Sequence, residues 1–125
     1  MRTIESLYTL NIPNEYREYI SKYIQNISDI PYISRIFLFG SCAKEVVSAH
    51  SDIDFFITTN REISEDEEML ITMYSLPEYS AETIPTDIIV QSENSFCNYI
   101  NSIGMVQRQV NKEGVDLSGL LHKCS

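Results

Sequence analysis

The sequence predicts an α/β domain (α+β in its order of elements) in which a small mixed sheet of three to four strands is flanked by helices. Short β-branched and aromatic segments alternate with segments whose apolar residues recur every three to four positions. The length of 125 residues suits one domain, and no internal repeat or linker interrupts the pattern. We therefore expect residues 1–125 to form a single domain.

The first two predicted elements are a helix and a strand. The helix begins at Pro13, a residue suited to a first turn, and ends near Ser28. Its apolar stripe consists of Tyr16, Tyr19, Ile20, Tyr23, Ile24 and Ile27. The segment YISRIFLFG, residues 32–40, is almost continuously apolar, which predicts a strand that is covered on both faces.

The next three segments lead to a second strand. SCAKEVV, residues 41–47, predicts a short helix. DIDFFITT, residues 52–59, predicts a strand, and NREIS, residues 60–64, predicts a loop.

A second sizeable helix is predicted from Ser64 to Pro77. Ser64 and Glu67 have the spacing of a capping box, and acidic residues fill the first turn, where the helix dipole favours them. The apolar stripe of this helix would be Met69, Leu70, Met73 and Leu76.

The last predicted elements are a strand, a helix and a short strand. TIPTDIIVQ, residues 83–91, predicts the third strand, and a helix follows that ends near Gly114. The stripe of this helix would be Phe96, Tyr99, Ile100, Ile103 and Val110. VDL, residues 115–117, predicts a last short strand.

Composition excludes several classes of partner and site. No apolar run approaches the roughly 20 residues that a membrane helix needs. The formal net charge of −9 disfavours long nucleic acids, whose binding depends on Lys and Arg. Three widely spaced cysteines, Cys42, Cys97 and Cys124, indicate reduced thiols rather than a zinc site. Because the N-terminus has no secretory pattern, we expect the protein in the cytoplasm.

An Asp-x-Asp pair at the start of the second strand is the strongest chemical signal. Side chains two positions apart on a strand point to the same face, so Asp52 and Asp54 should lie side by side. Their repulsion is best offset by a divalent cation such as Mg²⁺, which prefers oxygen ligands and often shares them with substrate phosphates. Asp87, near the start of the third strand, would bring a third carboxylate to the same end of the sheet.

The turn before this pair suits a phosphate. Gly40 lets the backbone approach an anion closely, and Ser41 adds a hydroxyl at the start of the predicted short helix. Two metal ions bridged by the three acids could activate a hydroxyl and hold a triphosphate.

Gly40-Ser41, ten further residues, Asp52-Ile53-Asp54 and a later Asp87 resemble the signature of the DNA polymerase beta-like nucleotidyltransferase superfamily. Within it the chain resembles the minimal nucleotidyltransferase (MNT) proteins, over almost its whole length. The resemblance implies the polymerase beta-like nucleotidyltransferase fold. It also implies that Gly40 and Ser41 hold phosphate, and that Asp52, Asp54 and Asp87 bind two Mg²⁺ ions, with Mn²⁺ as a substitute. Asp87 would in addition draw the proton from the acceptor hydroxyl.

Two positions depart from the family's Gly-Ser-x-Ala-Arg-Gly pattern. Lys44 keeps the positive charge of the arginine, and so remains a candidate nucleotide-binding residue, but it lacks the planar fork that grips phosphate. Glu45 replaces the last glycine and would repel a triphosphate unless it faces solvent.

Three functions follow from these observations. The first is transfer of AMP from ATP to a hydroxyl. Small MNT proteins resemble antitoxins whose partner is a helical HEPN ribonuclease toxin, and a tyrosine of such a toxin would be the acceptor. The second is a non-catalytic module that neutralises a partner by binding, and the third is modification of a small molecule, as by aminoglycoside nucleotidyltransferases. Association with a second copy of the chain is left open.

Overall fold

Five strands form one mixed sheet in the computed structural model, which describes residues 1–48, 50–77 and 84–122. The strands are β1 (Arg2–Thr3), β2 (Ile33–Phe39), β3 (Ile53–Thr59), β4 (Thr86–Ser92) and β5 (Val115–Asp116). Their order across the sheet is β1-β5-β2-β3-β4. The mixed α/β architecture is confirmed, but the sheet has five strands rather than three to four, because a two-residue N-terminal strand adds to its edge.

The strand directions explain why the sheet is mixed. β2 runs antiparallel to both β3 and β5, whereas β3 and β4 are parallel, as are β1 and β5. β1 is held by backbone bonds such as that from the Ile4 N–H to the Asp116 carbonyl, 3.2 Å. Two residues are too few to show the alternation by which a strand is recognised in a sequence. The strands predicted at residues 32–40, 52–59 and 83–91 are confirmed as β2, β3 and β4, except that residue 83 lies outside the described residues, and VDL supplies β5.

The first helix, α1, spans Asn14–Ile27, as predicted, and all six residues of its predicted stripe are buried. They pack on one face of the sheet in the larger core, which contains Ile36 and Leu38 of β2 and Phe55 and Ile57 of β3. Stacked rings of Tyr23 and Phe55, with centroids 4.9 Å apart, join α1 to the centre of the sheet.

The second helix departs from the prediction beyond its first turns. α2 spans Glu65–Met69 and begins with the predicted capping box of Ser64 and Glu67. A π-helix follows at Leu70–Tyr74. Because a π-helical turn contains more residues than an α-helical one, the stripe rotates. Ile71 is buried instead, and Leu70 and Met73 of the predicted stripe are exposed.

The last predicted helix is two helices, so the single helix expected up to Gly114 is wrong. α3 spans Glu93–Tyr99 and α4 spans Val106–Glu113. Between them the chain turns at Gly104, whose φ of 84° does not occur in a right-handed helix. Ile103, expected on the apolar stripe, is exposed in this connection. α3 and α4 cover the opposite face of the sheet in the smaller core, which is formed by Phe37, Phe56, Phe96 and Val110.

The short helix predicted at residues 41–47 is also absent. The chain forms a single turn after β2, with backbone bonds from the Lys44 N–H to the Gly40 carbonyl (3.2 Å) and from the Val46 N–H to the Ser41 carbonyl (3.0 Å). Glu45 takes a left-handed conformation with a φ of 60°, which ends the turn. Short 3₁₀ helices at Leu7–Thr9 and Ser118–His122 complete the fold. In the three ranges that the structure describes, no helix is both long and apolar enough to span a bilayer.

Candidate active site

The parallel pairing of β3 with β4 brings two of the predicted acidic residues side by side. Asp54 and Asp87 are direct register partners, and Phe39 of β2 is the partner of Asp54 on its other side. Asp54 lies two residues before Phe56 and Asp87 two residues before Ile89, and both of those side chains belong to the smaller core or pack against it. Both carboxylates therefore lie on the α3–α4 face of the sheet, at the end where β3 and β4 begin.

Asp52 lies one residue before β3, so it belongs to the entering loop rather than to the strand. Its side chain is exposed, as is that of Asp87, whereas Asp54 is half-buried. Ile53 and Phe55 are buried in the larger core on the other face, as the alternation of a strand requires.

No lysine or arginine among the described residues pairs with the three carboxylates, so their charges repel one another. Burial raises the pKa of Asp54, and the nearby charges of Asp87 and Asp52 raise it further. Elsewhere Glu45, Glu67, Glu93 and Glu113 each form an ion pair with an arginine or lysine. In the described ranges no such pair involves the three aspartates. A cation at this site would relieve the repulsion.

Gly40, the residue after β2, is in contact with the half-buried carboxylate. Its φ is 73°, and a Cβ added there would collide with the Asp54 side chain. Only glycine satisfies both conditions without strain. The sequence predicts that another group comes close to the Gly40 backbone. In this structure that group is the Asp54 carboxylate.

The turn after Gly40 presents backbone groups and one lysine. Its first hydrogen bond starts from the Lys44 N–H, so the N–H groups of Ser41, Cys42 and Ala43 precede that bond as the first N–H groups of a helix do. The Lys44 ammonium lies 3.6 Å from Glu113 of α4, and both side chains are about half exposed. A contact of this kind is weak, so Lys44 can exchange it for another anion.

Glu45 is paired with an arginine of the N-terminal strand β1. The Arg2 guanidinium donates to its carboxylate at 2.6 Å. This bond, helped by the Asn11 backbone N–H, holds the pKa of Glu45 below its usual range. The repulsion expected from the sequence is thus reduced by a cation that lies 43 residues away in the chain. No motif indicates this pairing.

Two buried side chains that the sequence does not mark as functional contact the loop before β3. The Tyr16 hydroxyl donates to the Ser51 carbonyl at 2.8 Å, and the Cys42 thiol donates to the Asp52 carbonyl at 3.6 Å. Burial, together with the charges of Asp54 and Asp52, raises the pKa of Cys42 to about 11, so this thiol is protonated and unreactive. In the sequence Tyr16 is part of an apolar helix stripe and Cys42 is one of three reduced thiols, and neither pattern indicates these contacts.

The donor set fits a divalent cation. Carboxylate oxygens are the ligands that Mg²⁺ and Mn²⁺ prefer, and three of them act electrostatically on one another here. Within the described ranges, however, no three Asp, Glu, His or Cys side chains already surround one point where an ion could be held. Mg²⁺ commonly takes its remaining ligands from water and substrate phosphates, so an open set is compatible with binding.

Comparison with known proteins identifies the family. The model of the Polymerase beta nucleotidyltransferase family matches residues 18–119, which is most of the chain. A crystal structure of a protein from Sulfolobus solfataricus, proposed to be a nucleotidyltransferase, superposes with a TM-score of 0.52 and 19% identity, over 79% of this chain and 76% of that one. At this identity the likeness shows the fold alone. Among curated proteins none matches this sequence.

The family model spans β2, β3, β4 and the three aspartates, so its match confirms the resemblance to minimal nucleotidyltransferases that the motif indicated. Membership of this family supports general nucleotidyl transfer. The chain belongs to the polymerase beta nucleotidyltransferase family.

Proposed function

We propose that this chain, as a single minimal nucleotidyltransferase domain, transfers AMP from ATP to a hydroxyl group in the cytoplasm. The observation that carries the proposal is the pairing of Asp54 with Asp87 in register, on one face and without an ion-pair partner among the described residues. Clustered charge of this kind destabilises a fold unless a cation is bound. The family match supplies the class of reaction.

The residues have separate roles in this proposal. Asp52, Asp54 and Asp87 would hold Mg²⁺, with Mn²⁺ as a substitute and two ions as the expected number. Gly40, Ser41 and Lys44 would hold the triphosphate through backbone N–H groups and one positive charge. When bound, the metal supplies charge neutralisation at the phosphates.

The proton and the leaving group can be followed explicitly. The acceptor oxygen forms a bond to the α-phosphorus of ATP, and the bond from that phosphorus to the bridging oxygen breaks, so that pyrophosphate leaves. The acceptor proton passes to the carboxylate of Asp87, which is exposed at the edge strand and therefore open to an acceptor.

The acceptor is proposed to be a tyrosine of a HEPN-type toxin, with this chain as the antitoxin. A transferase must hold its acceptor in line with the phosphorus. After α4 the described chain forms β5 and a 3₁₀ helix, and both Leu117, which lies between them, and Leu121 of the helix are buried in the larger core. In this proposal a second protein supplies both the hydroxyl and the surface that positions it.

Intact-mass analysis tests the proposal. The purified protein is incubated with ATP, Mg²⁺ and a purified HEPN-type toxin, and one or more AMP masses should appear on that partner. Asp52→Ala/Asp54→Ala should prevent the addition, while Glu113→Gln, a change at an exposed carboxylate that pairs with Lys44, should not.

The alternative function has its own outcome in this experiment. If the partner is inhibited at a stoichiometric ratio but gains no mass, the chain is a binding module rather than a transferase. An AMP adduct on an aminoglycoside instead of on the protein would favour the small-molecule reading.

A further inference from the structure

Three polar backbone atoms in the two peptide groups on either side of the Asp52 Cα are tied to three different parts of the fold. The Ser51 carbonyl accepts from the Tyr16 hydroxyl of α1 at 2.8 Å, and the Asp52 carbonyl accepts from the Cys42 thiol at 3.6 Å. The Ile53 N–H donates to the Pro85 carbonyl, just before β4, at 2.9 Å. The backbone of Asp52 is therefore held on both sides although its side chain is exposed.

Of these three contacts, the one made by Tyr16 joins the positions that are furthest apart in the sequence. The residue is only 6% exposed, and its hydroxyl, at a part-buried position, finds its partners in the protein. It lies 2.8 Å from the Ser51 carbonyl and 3.5 Å from the Ser48 carbonyl, the two ends of the short turn that precedes Asp52. That turn is also closed internally, because the Ser48 N–H donates to the Ser51 hydroxyl at 2.8 Å.

Packing alone does not require a hydroxyl at this position. The larger core is built mainly of Ile, Leu, Phe and Tyr side chains, and a phenylalanine ring would fill the same volume as that of Tyr16. The hydroxyl adds two contacts, a short one to the peptide group directly before Asp52 and a longer one to the Ser48 carbonyl. Its effect is thus on where Asp52 lies, and not mainly on how α1 packs.

We propose that Tyr16, assisted by Cys42, is a positioning residue that fixes the Asp52 carboxylate for divalent-metal binding. The inference rests on the proposed function, in which Asp52 is a metal ligand. Residues that orient metal ligands through hydrogen bonds typically contribute about 10- to 100-fold to metal affinity. Because Tyr16 acts on the backbone of one ligand of three, we expect the lower end of that range.

The fold provides a matched control on the same helix. Tyr23 of α1 is fully buried, and its hydroxyl donates to the Ile71 carbonyl at 2.7 Å, in the π-helix rather than at the aspartates. Tyr16→Phe and Tyr23→Phe therefore delete the same atom and the same kind of bond. Only the first deletion touches the loop that carries Asp52.

The experiment measures the affinity for Mn²⁺ alone, by electron paramagnetic resonance of the free ion, together with the melting temperature of each variant in EDTA. Tyr16→Phe should raise the Kd for Mn²⁺ about tenfold. Tyr23→Phe should lower the melting temperature at least as much, yet leave the Kd within about twofold of the wild type because it has no contact with the metal ligands. Cys42→Ala should weaken binding, and Cys42→Ser, which keeps a donor, should restore it.

Each result has a distinct meaning. A wild-type Kd in Tyr16→Phe, with the wild type binding Mn²⁺, overturns the positioning role and leaves the proposed function intact. Equal weakening in Tyr16→Phe and Tyr23→Phe also overturns it, because the effect would then follow stability. A wild-type protein that binds no Mn²⁺ overturns the metal-dependent function and this inference with it. If Tyr16→Phe does not fold, a wild-type Kd in Cys42→Ala overturns the proposal, and a raised Kd restored by Cys42→Ser supports it.

Discussion

At the scale of single residues, Gly40 belongs to the turn that the sequence predicts to bind phosphate, and it also contacts the Asp54 carboxylate of the acidic site. It has a φ of 73°, and a side chain there would meet the Asp54 carboxylate. Gly104 has a similar φ of 84° but no atom within 4 Å of an added Cβ. The two glycines therefore separate the cost of backbone strain from the cost of a collision.

We predict that Gly40→Ala destabilises the protein by about 1–3 kcal/mol more than Gly104→Ala, because it adds an overpacked contact to the same backbone strain. Urea unfolding of both variants gives the difference. The double variant Gly40→Ala/Asp54→Ala should recover this excess, since the collision is removed. An excess that persists in the double variant would assign the cost to something other than Asp54.

Glu45 is a second residue whose backbone matters more than its charge. Its φ of 60° is a conformation in which glycine has no steric cost, and the family pattern has glycine there. Glu45→Gly should therefore raise the melting temperature by roughly 3 °C, even though the exposed ion pair with Arg2 is lost. Differential scanning calorimetry measures this. Glu45→Ala serves as the control, because it loses the ion pair but keeps the strain, and it should not be stabilised.

At the scale of elements, α3 is attached to the sheet by one polar cluster. Glu93, in its first turn, accepts two hydrogen bonds from Arg35 of β2, at 2.6 and 2.7 Å, and one from the Thr58 hydroxyl of β3, at 2.6 Å. The Arg35 guanidinium also lies over the rings of Phe37 and Phe96 in the smaller core. Burial alone would raise the pKa of Glu93, but the hydrogen bonds from Arg35 and Thr58 outweigh it and lower the pKa.

This lowered pKa predicts how stability depends on pH. The cluster stabilises the fold above the pKa of a glutamate in the unfolded chain, and the stabilisation is lost as the pH falls through the lower pKa of the folded state. At pH 7, Glu93→Gln should lower the free energy of unfolding by about 1–3 kcal/mol. The difference from the wild type should shrink between about pH 5 and pH 3. Urea unfolding across this range tests it, and Glu113→Gln, at an exposed pair, should change stability little at any of these pH values.

The helices show which apolar stripes can be predicted from the sequence and which cannot. The stripe of α1 was predictable because all of its turns are α-helical and its apolar residues keep one spacing. The stripe after α2 was not, because the π-helix at Leu70–Tyr74 rotates Ile71 into the core in place of Leu70 and Met73. The break between α3 and α4 depends on the conformation of Gly104, and glycine is compatible with both a helix and a turn.

At the scale of the whole molecule, the three long strands and the acidic site were predictable for one reason. β2 and β3 lie inside the sheet and β4 lies at its edge, but each contains a long apolar run, so the polar residues Asp54 and Asp87 stand out near the starts of β3 and β4. The contacts of Arg2 with Glu45 and of Tyr16 with Ser51 join positions 43 and 35 residues apart. A local pattern carries no information about such contacts, because they depend on how the finished sheet and α1 pack together.

The charge distribution of the folded molecule leads to the last prediction. The half-buried Asp54 carries a charge that Asp52 and Asp87 oppose, and a divalent cation that binds the folded chain should stabilise it by linkage. At a free Mn²⁺ concentration ten times the Kd, the gain is about 1.4 kcal/mol, which corresponds to roughly 3–6 °C in melting temperature.

Asp54→Asn removes one of the opposing charges while keeping the shape of the side chain. It should therefore melt at a higher temperature than the wild type in EDTA, and yet lose the Mn²⁺-dependent increase. Glu113→Asn, which removes a carboxylate outside the cluster, should keep that increase. A variant that gains stability in EDTA but still responds to Mn²⁺ would show that the ion binds elsewhere, since a single set of carboxylates produces both effects or neither.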